Sequence, residues 1–453
     1  HSVDLLLGTL QIGGRTGSGG AASTGTFSMD SGNLVANSVT VGLRAAGTSA
    51  GNVAGSLNLF GGTVSIGSGG LIVGRNSSTT SGFNTTGTIN VSGGTVSVSA
   101  SSGVSIRLAD STAAGGTANG VLNLTGGSLT VEGDILRGAS TGTSNASVLL
   151  NGGTLNMGGH DLGAAGSGAL ALIAESGTLQ NIASVNGTSG VTKTSTGMLT
   201  LLGTNTYTGA TTISAGTLTL GANNVLPDNS NISIGAAMLD ATTRNDTAGA
   251  LNVTAAASIN LGNGATLAFA NSSAVSWAGT LNITGTFVSG SSLRFGTTST
   301  ALTTTQLGKI SASGFTGFSL NSSGFLMGST APASSYTNWQ TANNTAGVFS
   351  SDHDNDGVAN GIEFFLGGNT NTTGQTTLPG ITKSSNIYSI TWVKSSTYQG
   401  TYGIHYWVES TSKLSGSWSQ EGLGENVTIS GNNITYTFPS TIKRFARLIV
   451  AEP

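Results

Sequence analysis

"GSLNLFGGTVSIGSGGLIVGR", residues 55–75, holds a single charged residue, the arginine that ends it. Apolar and polar residues alternate on both sides of Gly61 and Gly62. Leu57, Leu59, Val64 and Ile66 fall on one face, and Ser56, Asn58, Thr63 and Ser65 on the other. Period two marks a strand, and paired glycines between strands mark a corner that a Cβ does not fit comfortably. The pattern returns as GTFSMDSGNLVA (25–36), GTINVSGGTVSV (87–98), GVLNLTGGSLTV (120–131) and ASVLLNGGTLNM (146–157). The corner glycines Gly32, Gly62, Gly94, Gly127 and Gly153 follow one another at 26 to 33 residues. Repeats of this period are stacked units, none of which buries its apolar face alone.

A third apolar segment follows the corners at 39–41, 71–73, 104–106 and 135–136, and then a loop rich in Ser, Thr, Gly and Ala. Three short strands per repeat predict one turn of a right-handed parallel β-helix (β-solenoid), with turns stacked at about 4.8 Å. An antiparallel sandwich with hairpins at the glycine pairs is the alternative, and the regularity of the repeat weighs against it. The β-helix shaft is expected over residues 1–328.

Composition agrees. Of 453 residues, 72 are Gly, none is Cys and only 7% are charged, far below the usual quarter. Abundant β-branched residues and a net charge of −3 separate the chain from disordered sequences. It has no apolar run long enough to span a membrane as a helix and no basic footprint for nucleic acid. It starts at His1 without a visible signal peptide, which reads as a mature or trimmed form.

The first five basic residues, Arg15, Arg44, Arg75, Arg107 and Arg137, each follow the third strand and open the loop. Equal register predicts a column of guanidinium groups up one edge, repelling by roughly 1–3 kcal/mol per neighbour before screening. The plainest relief is a loop clamp, with each guanidinium donating to carbonyls of its own loop. The alternatives are an acidic surface polysaccharide along the column, or an acidic neighbouring subunit.

Residues 190–227 contain Thr192, Lys193 and Gly197, then LTL at 199–201, NTYTG at 205–209 and AGTL at 215–218. This stretch resembles the autotransporter-associated β-strand repeat of bacterial secreted and surface proteins, and residues 265–328 resemble the closing turns of such chains. The resemblance implies a parallel β-helix and an extracellular or cell-surface location. The residues after 328 lack the amphipathic strand series of an outer-membrane barrel, so a different export route is expected.

"DHDNDGVANGIE", residues 352–363, matches the twelve-residue calcium loop of EF-hands. Asp352, Asp354 and Asp356 stand at positions 1, 3 and 5, Gly357 at 6, Val358 at 7, Asn360 at 9 and Glu363 at 12. Four of the 18 acidic residues lie in this stretch, and close-set carboxylates repel unless a cation sits among them. The ligand set expected for Ca²⁺ is Asp352, Asp354, Asp356, the Val358 carbonyl, Asn360 and Glu363. The loop resembles single calcium-loop modules related to dockerin and thrombospondin repeats. It is read as a knuckle in a linker, 329–375, between the shaft and a small antiparallel β domain, 376–453. That last segment, with its Ser410, Thr411, Leu414 and Trp418 step, resembles the C-terminal domain of secreted proteins from Verrucomicrobia-like bacteria. Trp407 and Trp418 are expected mainly in its core, with stacking on sugars as the alternative.

Catalysis on a β-helix needs clustered carboxylates, or a base beside acids, on one face. Glu132 and Asp134, with Arg137 nearby, form the one constellation worth considering, and no enzyme is expected. The sequence predicts a secreted structural protein that assembles head to tail with copies of itself into a fibre. A monomeric adhesin or polysaccharide binder is the alternative, and a polysaccharide lyase or hydrolase comes third.

Overall fold

The computed structural model describes residues 3–17, 20–48, 50–100, 102–166, 169–330, 335–343, 347–367, 378–439 and 443–452. They form two compact units, His1–Thr330 and Ala331–Pro453.

In the first unit each strand pairs in parallel with the strand one repeat later. β1 (Val3–Arg15) pairs with β3 (Gly32–Gly47), and β2 (Ser23–Met29) with β4 (Val53–Leu59). β5 (Thr63–Ser78) continues the β3 ladder, and β6 (Asn84–Val91) the β4 ladder. Parallel pairing runs on to Leu281–Gly285 against Ile310–Ala312. This ladder fits a parallel β-helix and leaves no place for the hairpin sandwich.

The register stacks like on like. Phe27, Leu57, Ile89, Leu122 and Val148 form one column, and Met29, Leu59, Val91, Leu124 and Leu150 the next. All but Phe27 are buried. Each such side chain contributes roughly 1.5–3 kcal/mol by leaving water, but only once a neighbouring coil covers it.

The corners are where the paired glycines place them. Gly62, Gly94 and Gly127 have φ of +78°, +72° and +60°, a region costly for any residue with a Cβ. In the fifth copy the role moves to Gly152, at φ +120°, and the strand Thr143–Leu162 runs through the corner unbroken. The expected third strand is separate only in some coils. β3 and β5 each run 16 residues through both segments, with the register slipping between Ala36 and Ser38. A bend absorbs the turn there, so no break in the ladder is needed.

A second glycine column lies where two walls of the coil meet. Gly25, Gly55, Gly87 and Gly120 stand in register. A Cβ on Gly87 would lie 2.2 Å from the Val41 carbonyl oxygen and 2.3 Å from the Gly74 nitrogen. Backbone touches backbone at this seam.

The unit closes on an antiparallel hairpin, Phe315–Leu320 with Leu326–Thr330. Before it comes the short helix α1 (Thr304–Leu307), whose Thr303 and Gln306 form a capping box.

The second unit holds helices α2 (Ser335–Ala342) and α3 (Asn360–Leu366) and two antiparallel sheets. One sheet orders Ile381–Ser384, Ile387–Val393, Asn433–Phe438 and Val427–Ser430. The other orders Ser419–Gln420, Tyr406–Thr411 and Phe445–Val450. Tyr336, Phe364 and Phe365 share one core with Trp392, Tyr398, Tyr406, Ile434 and Tyr436. The stretch read as a linker therefore supplies part of this core. Its aromatic residues flank the acidic loop closely enough in sequence to be buried together.

Candidate calcium loop and arginine clamps

The loop at 352–359 is coiled by residues suited to it. Asn355 and Gly357 take φ of +60° and +91°, conformations that Asn and Gly tolerate best. Asp352 accepts from Asp356 N (3.3 Å) and Gly357 N (2.9 Å), Asp354 from Asp356 N (3.3 Å), and Asp356 from Val358 N (2.8 Å). These bonds turn the carboxylates inward, and one oxygen of each of Asp352, Asp354 and Asp356 lies within 4.8 Å of the others.

Glu363 is one residue before the aromatic pair of α3. It is 1% exposed, and neither carboxylate oxygen has a hydrogen-bond partner. Burial, reinforced by the charges of Asp354, Asp356 and Asp352, pushes its pKa up to about 7. Val358 is also buried. Asn360, expected as a ligand, makes hydrogen bonds to the chain around the loop. Its Oδ1 accepts from His353 N at 3.1 Å and its Nδ2 donates to the Val348 carbonyl at 3.4 Å, so the side chain braces the loop.

The five arginines do not form one column. Arg15 pairs with Arg44, but Arg44 pairs with Asn76, Arg75 with Leu43 and Asp110, Arg107 with Ile72 and Leu136, and Arg137 with Leu108. The segment between the second and third strands differs in length from coil to coil, so successive arginines after Arg44 fall one or three residues out of register, and each odd slip turns a side chain to the other face.

What the arginines do matches a clamp most clearly at Arg44. It is fully buried, and donates to the carbonyls of Thr80 (2.6 Å), Phe83 (3.2 Å) and Gly115 (3.2 Å). Its guanidinium also lies 5.1 Å from the Phe83 ring centre. Burial first, and the neighbouring Arg15 charge second, lower its pKa. Arg15 donates to the Ala21 carbonyl, and Arg137 to that of Ser144 at 3.5 Å. Arg75 instead meets Asp110 at 3.4 Å. Arg107 is half-buried.

The acid constellation spans a break between two strands. Glu132 is exposed at the break between Ser128–Val131 and Asp134–Arg137. Asp134 accepts from Asp161 N at 3.0 Å and lies 3.9 Å from His160, which ties it to the next coil.

The residues of the 190–227 motif build the coil. Lys193 is buried and donates to Ser195, whose hydroxyl donates in turn to the Glu175 carbonyl. Asn205 accepts from Ile182 N (3.0 Å) and donates to the Val225 carbonyl (2.9 Å). The buried Tyr207 hydroxyl is 2.8 Å from Thr211 Oγ1, itself 3.1 Å from Ser230 Oγ.

Trp407 and Trp418 are not core residues. Both are half-buried on the outer side of the second unit's smaller sheet, while Trp392 is the buried tryptophan of that segment. Trp407 Nε1 donates to Glu409 at 3.0 Å, and Glu409 takes two bonds from Arg447, at 2.9 and 2.7 Å. The Arg447 guanidinium sits 4.3 Å from the Trp418 ring centre. Those bonds, that from Trp407 first, hold the Glu409 pKa below the usual range. Period-two placement of Trp407 and Glu409 was readable, but the Arg447 partnership needed the strand pairing.

Residues 191–220 match the family model described as the Passenger-associated-transport-repeat. No curated protein and no solved structure matches, and the dockerin-like and Verrucomicrobia-type likenesses have no counterpart among these comparisons. The repeat is one of autotransporter passengers, and it points to a surface or secreted protein with a structural or adhesive role. Among the described residues no helix is long and apolar enough to cross a membrane.

Proposed function

We propose that this chain is a structural protein of the bacterial surface or matrix whose shafts associate end to end into an extracellular fibre. The observation that supports this is like-on-like stacking: Leu34, Ala36 and Val39 are 0–1% exposed because the coil carrying Leu5, Leu7 and Leu10 covers them, and the same contact repeated between copies builds a fibre. At the closing end, Ile283, Phe287, Ala312 and Phe315 line a cleft of about 500 Å³. An apolar tip meeting a different surface makes a heterologous contact, and such contacts grow filaments when they do not close. Electron microscopy of the purified chain tests it. Long regular fibres, lost in Leu5→Asp/Leu7→Asp, are expected. Single rods at all concentrations would overturn it.

A second reading, a monomeric polysaccharide-binding adhesin, draws support from the Trp407, Glu409, Arg447 and Trp418 chain. Indole rings held by polar partners on an open sheet face offer flat surfaces to sugar rings, with donors and acceptors beside them. Binding to a surface polysaccharide that Trp407→Ala abolishes without unfolding the domain would favour it over the fibre. Acidic polysaccharide on the arginines has less support, since Arg44 is spent on loop carbonyls.

A further inference from the structure

We propose that the loop at 352–363 binds one Ca²⁺, and that this ion is the condition for closing the core of the second unit rather than a joint between units. The argument starts from Glu363. A buried carboxylate without a partner is among the costliest groups a fold can contain, and here both oxygens of Glu363 lack one. Its surroundings make matters worse, because the nearest charges are the three aspartates of the same loop. No cationic side chain forms an ion pair with Asp352, Asp354 or Glu363 among the described residues. Four carboxylates and a backbone carbonyl are an all-oxygen donor set, which selects a hard divalent cation. Their number and the flexible loop favour Ca²⁺ over Mg²⁺, which prefers strict octahedral geometry and its own waters. Asn360 is occupied as a brace, so a water completes its position, as is common at the ninth place of such loops.

The consequence for the fold follows from what comes next on α3. Phe364 and Phe365 are both fully buried. Phe364 packs on Tyr336, Trp339, Phe349 and Tyr398, and Phe365 on Tyr398 and Tyr406. A helix of seven residues moves as one piece. Docking these two rings therefore forces Glu363 into its buried position, where a cation shared with the aspartates relieves the uncompensated carboxylate. The first turn of α3 is also tied back across the loop, by Asn360 N to the Ser351 carbonyl (2.7 Å) and Gly361 N to that of Phe349 (2.8 Å). Loop, helix and aromatic core thus close together or not at all.

The test is calorimetric, on the full chain freed of metal with a chelator and then returned to millimolar calcium chloride. Calcium should bind, and should raise the melting transition of the second unit by about 10 °C while the shaft transition stays put. Near-UV circular dichroism from the tyrosine cluster should follow the same transition. Glu363→Gln keeps shape but removes the buried charge, so its second unit should melt higher than the parent in chelator and no longer respond to calcium. Asp354→Asn, outside the core, should fold normally and bind calcium ~10-fold or more weakly. Absence of calcium binding in the millimolar range would overturn the site. Binding that leaves the second transition unmoved would overturn the coupling alone, and an equal response to magnesium would overturn the choice of ion.

Discussion

Arg44 reaches the carbonyl of Gly115, 71 residues further along the chain, with a 3.2 Å hydrogen bond made entirely inside the protein. The same side chain holds Thr80 and Phe83 in the intervening loop, so one guanidinium pins two successive loops to a third. Lys has neither the fork nor the reach to replace it. Arg44→Lys should destabilise the shaft by about 2–4 kcal/mol. Arg75→Gln, breaking a partly exposed pair with Asp110, should stay within about 1 kcal/mol. Urea unfolding of the two variants against the parent measures both, and equal losses would refute the clamp.

The glycine seam predicts a contrast of a different kind. Gly87→Ala puts a methyl against backbone atoms that have no room to give. A loss above ~2 kcal/mol is expected. Gly82 has φ +82° but open space around it, so Gly82→Ala should lose only ~1–2 kcal/mol, from its backbone conformation. Reversal of this order in thermal melts would show that the seam opens more easily than its geometry implies.

Asn90 joins two coils at once. Its Nδ2 donates to Asn58 Oδ1 and its Oδ1 accepts from Asn123 Nδ2, both at 2.8 Å. Asn90→Ala should weaken the shaft by about 1–2 kcal/mol. A double-mutant cycle with Asn58→Ala should show coupling, and strict additivity would mean that the ladder is decorative.

Asp246 gives the shaft a pH dependence. One oxygen accepts from Val225 N and Leu226 N at 2.8 and 3.2 Å, and the other is buried without a partner. Burial, against the help of those bonds, pushes its pKa up to about 6 from an ordinary 3.8. Between these values the folded state holds a proton that the unfolded chain has released. Stability from this residue therefore falls as pH rises from 3.8 to 6, by roughly 3 kcal/mol in all. Asp246→Asn should be more stable than the parent at pH 7 and indistinguishable from it below pH 4. A gap that persists at low pH would assign the effect to something other than ionisation.

Much of the shaft was legible because it is built from period-two alternation repeated at near-constant spacing. Leu57 and Leu59, Val64 and Ile66 face the core as alternation requires, and Gly62 turns the corner because few other residues tolerate its φ. The acidic loop was legible as a candidate site for the same reason: its carboxylates sit within twelve consecutive positions. What was hidden involves residues far apart in sequence whose meeting depends on loop length. The expected arginine column failed at that point, since extra residues before the third segment displace Arg75 by one position and Arg107 by three, an odd number that changes the face on which each emerges.

The sequence alone determined that the chain is built from stacked strand repeats, because none of five weakly amphipathic repeats buries its apolar face alone, and it favoured parallel coils over a hairpin sandwich. It also determined where an oxygen-donor loop lies. The tertiary structure alone decided that Arg44 is a buried clamp, that Gly87 marks a seam between two walls, and that Trp407 and Trp418 face outward. It decided too that the helix following the acidic loop belongs to the core of the C-terminal unit. Alternation specifies which side of a strand faces inward, but only the packed chain brings Glu363 and the aromatic rings to one end of one short helix.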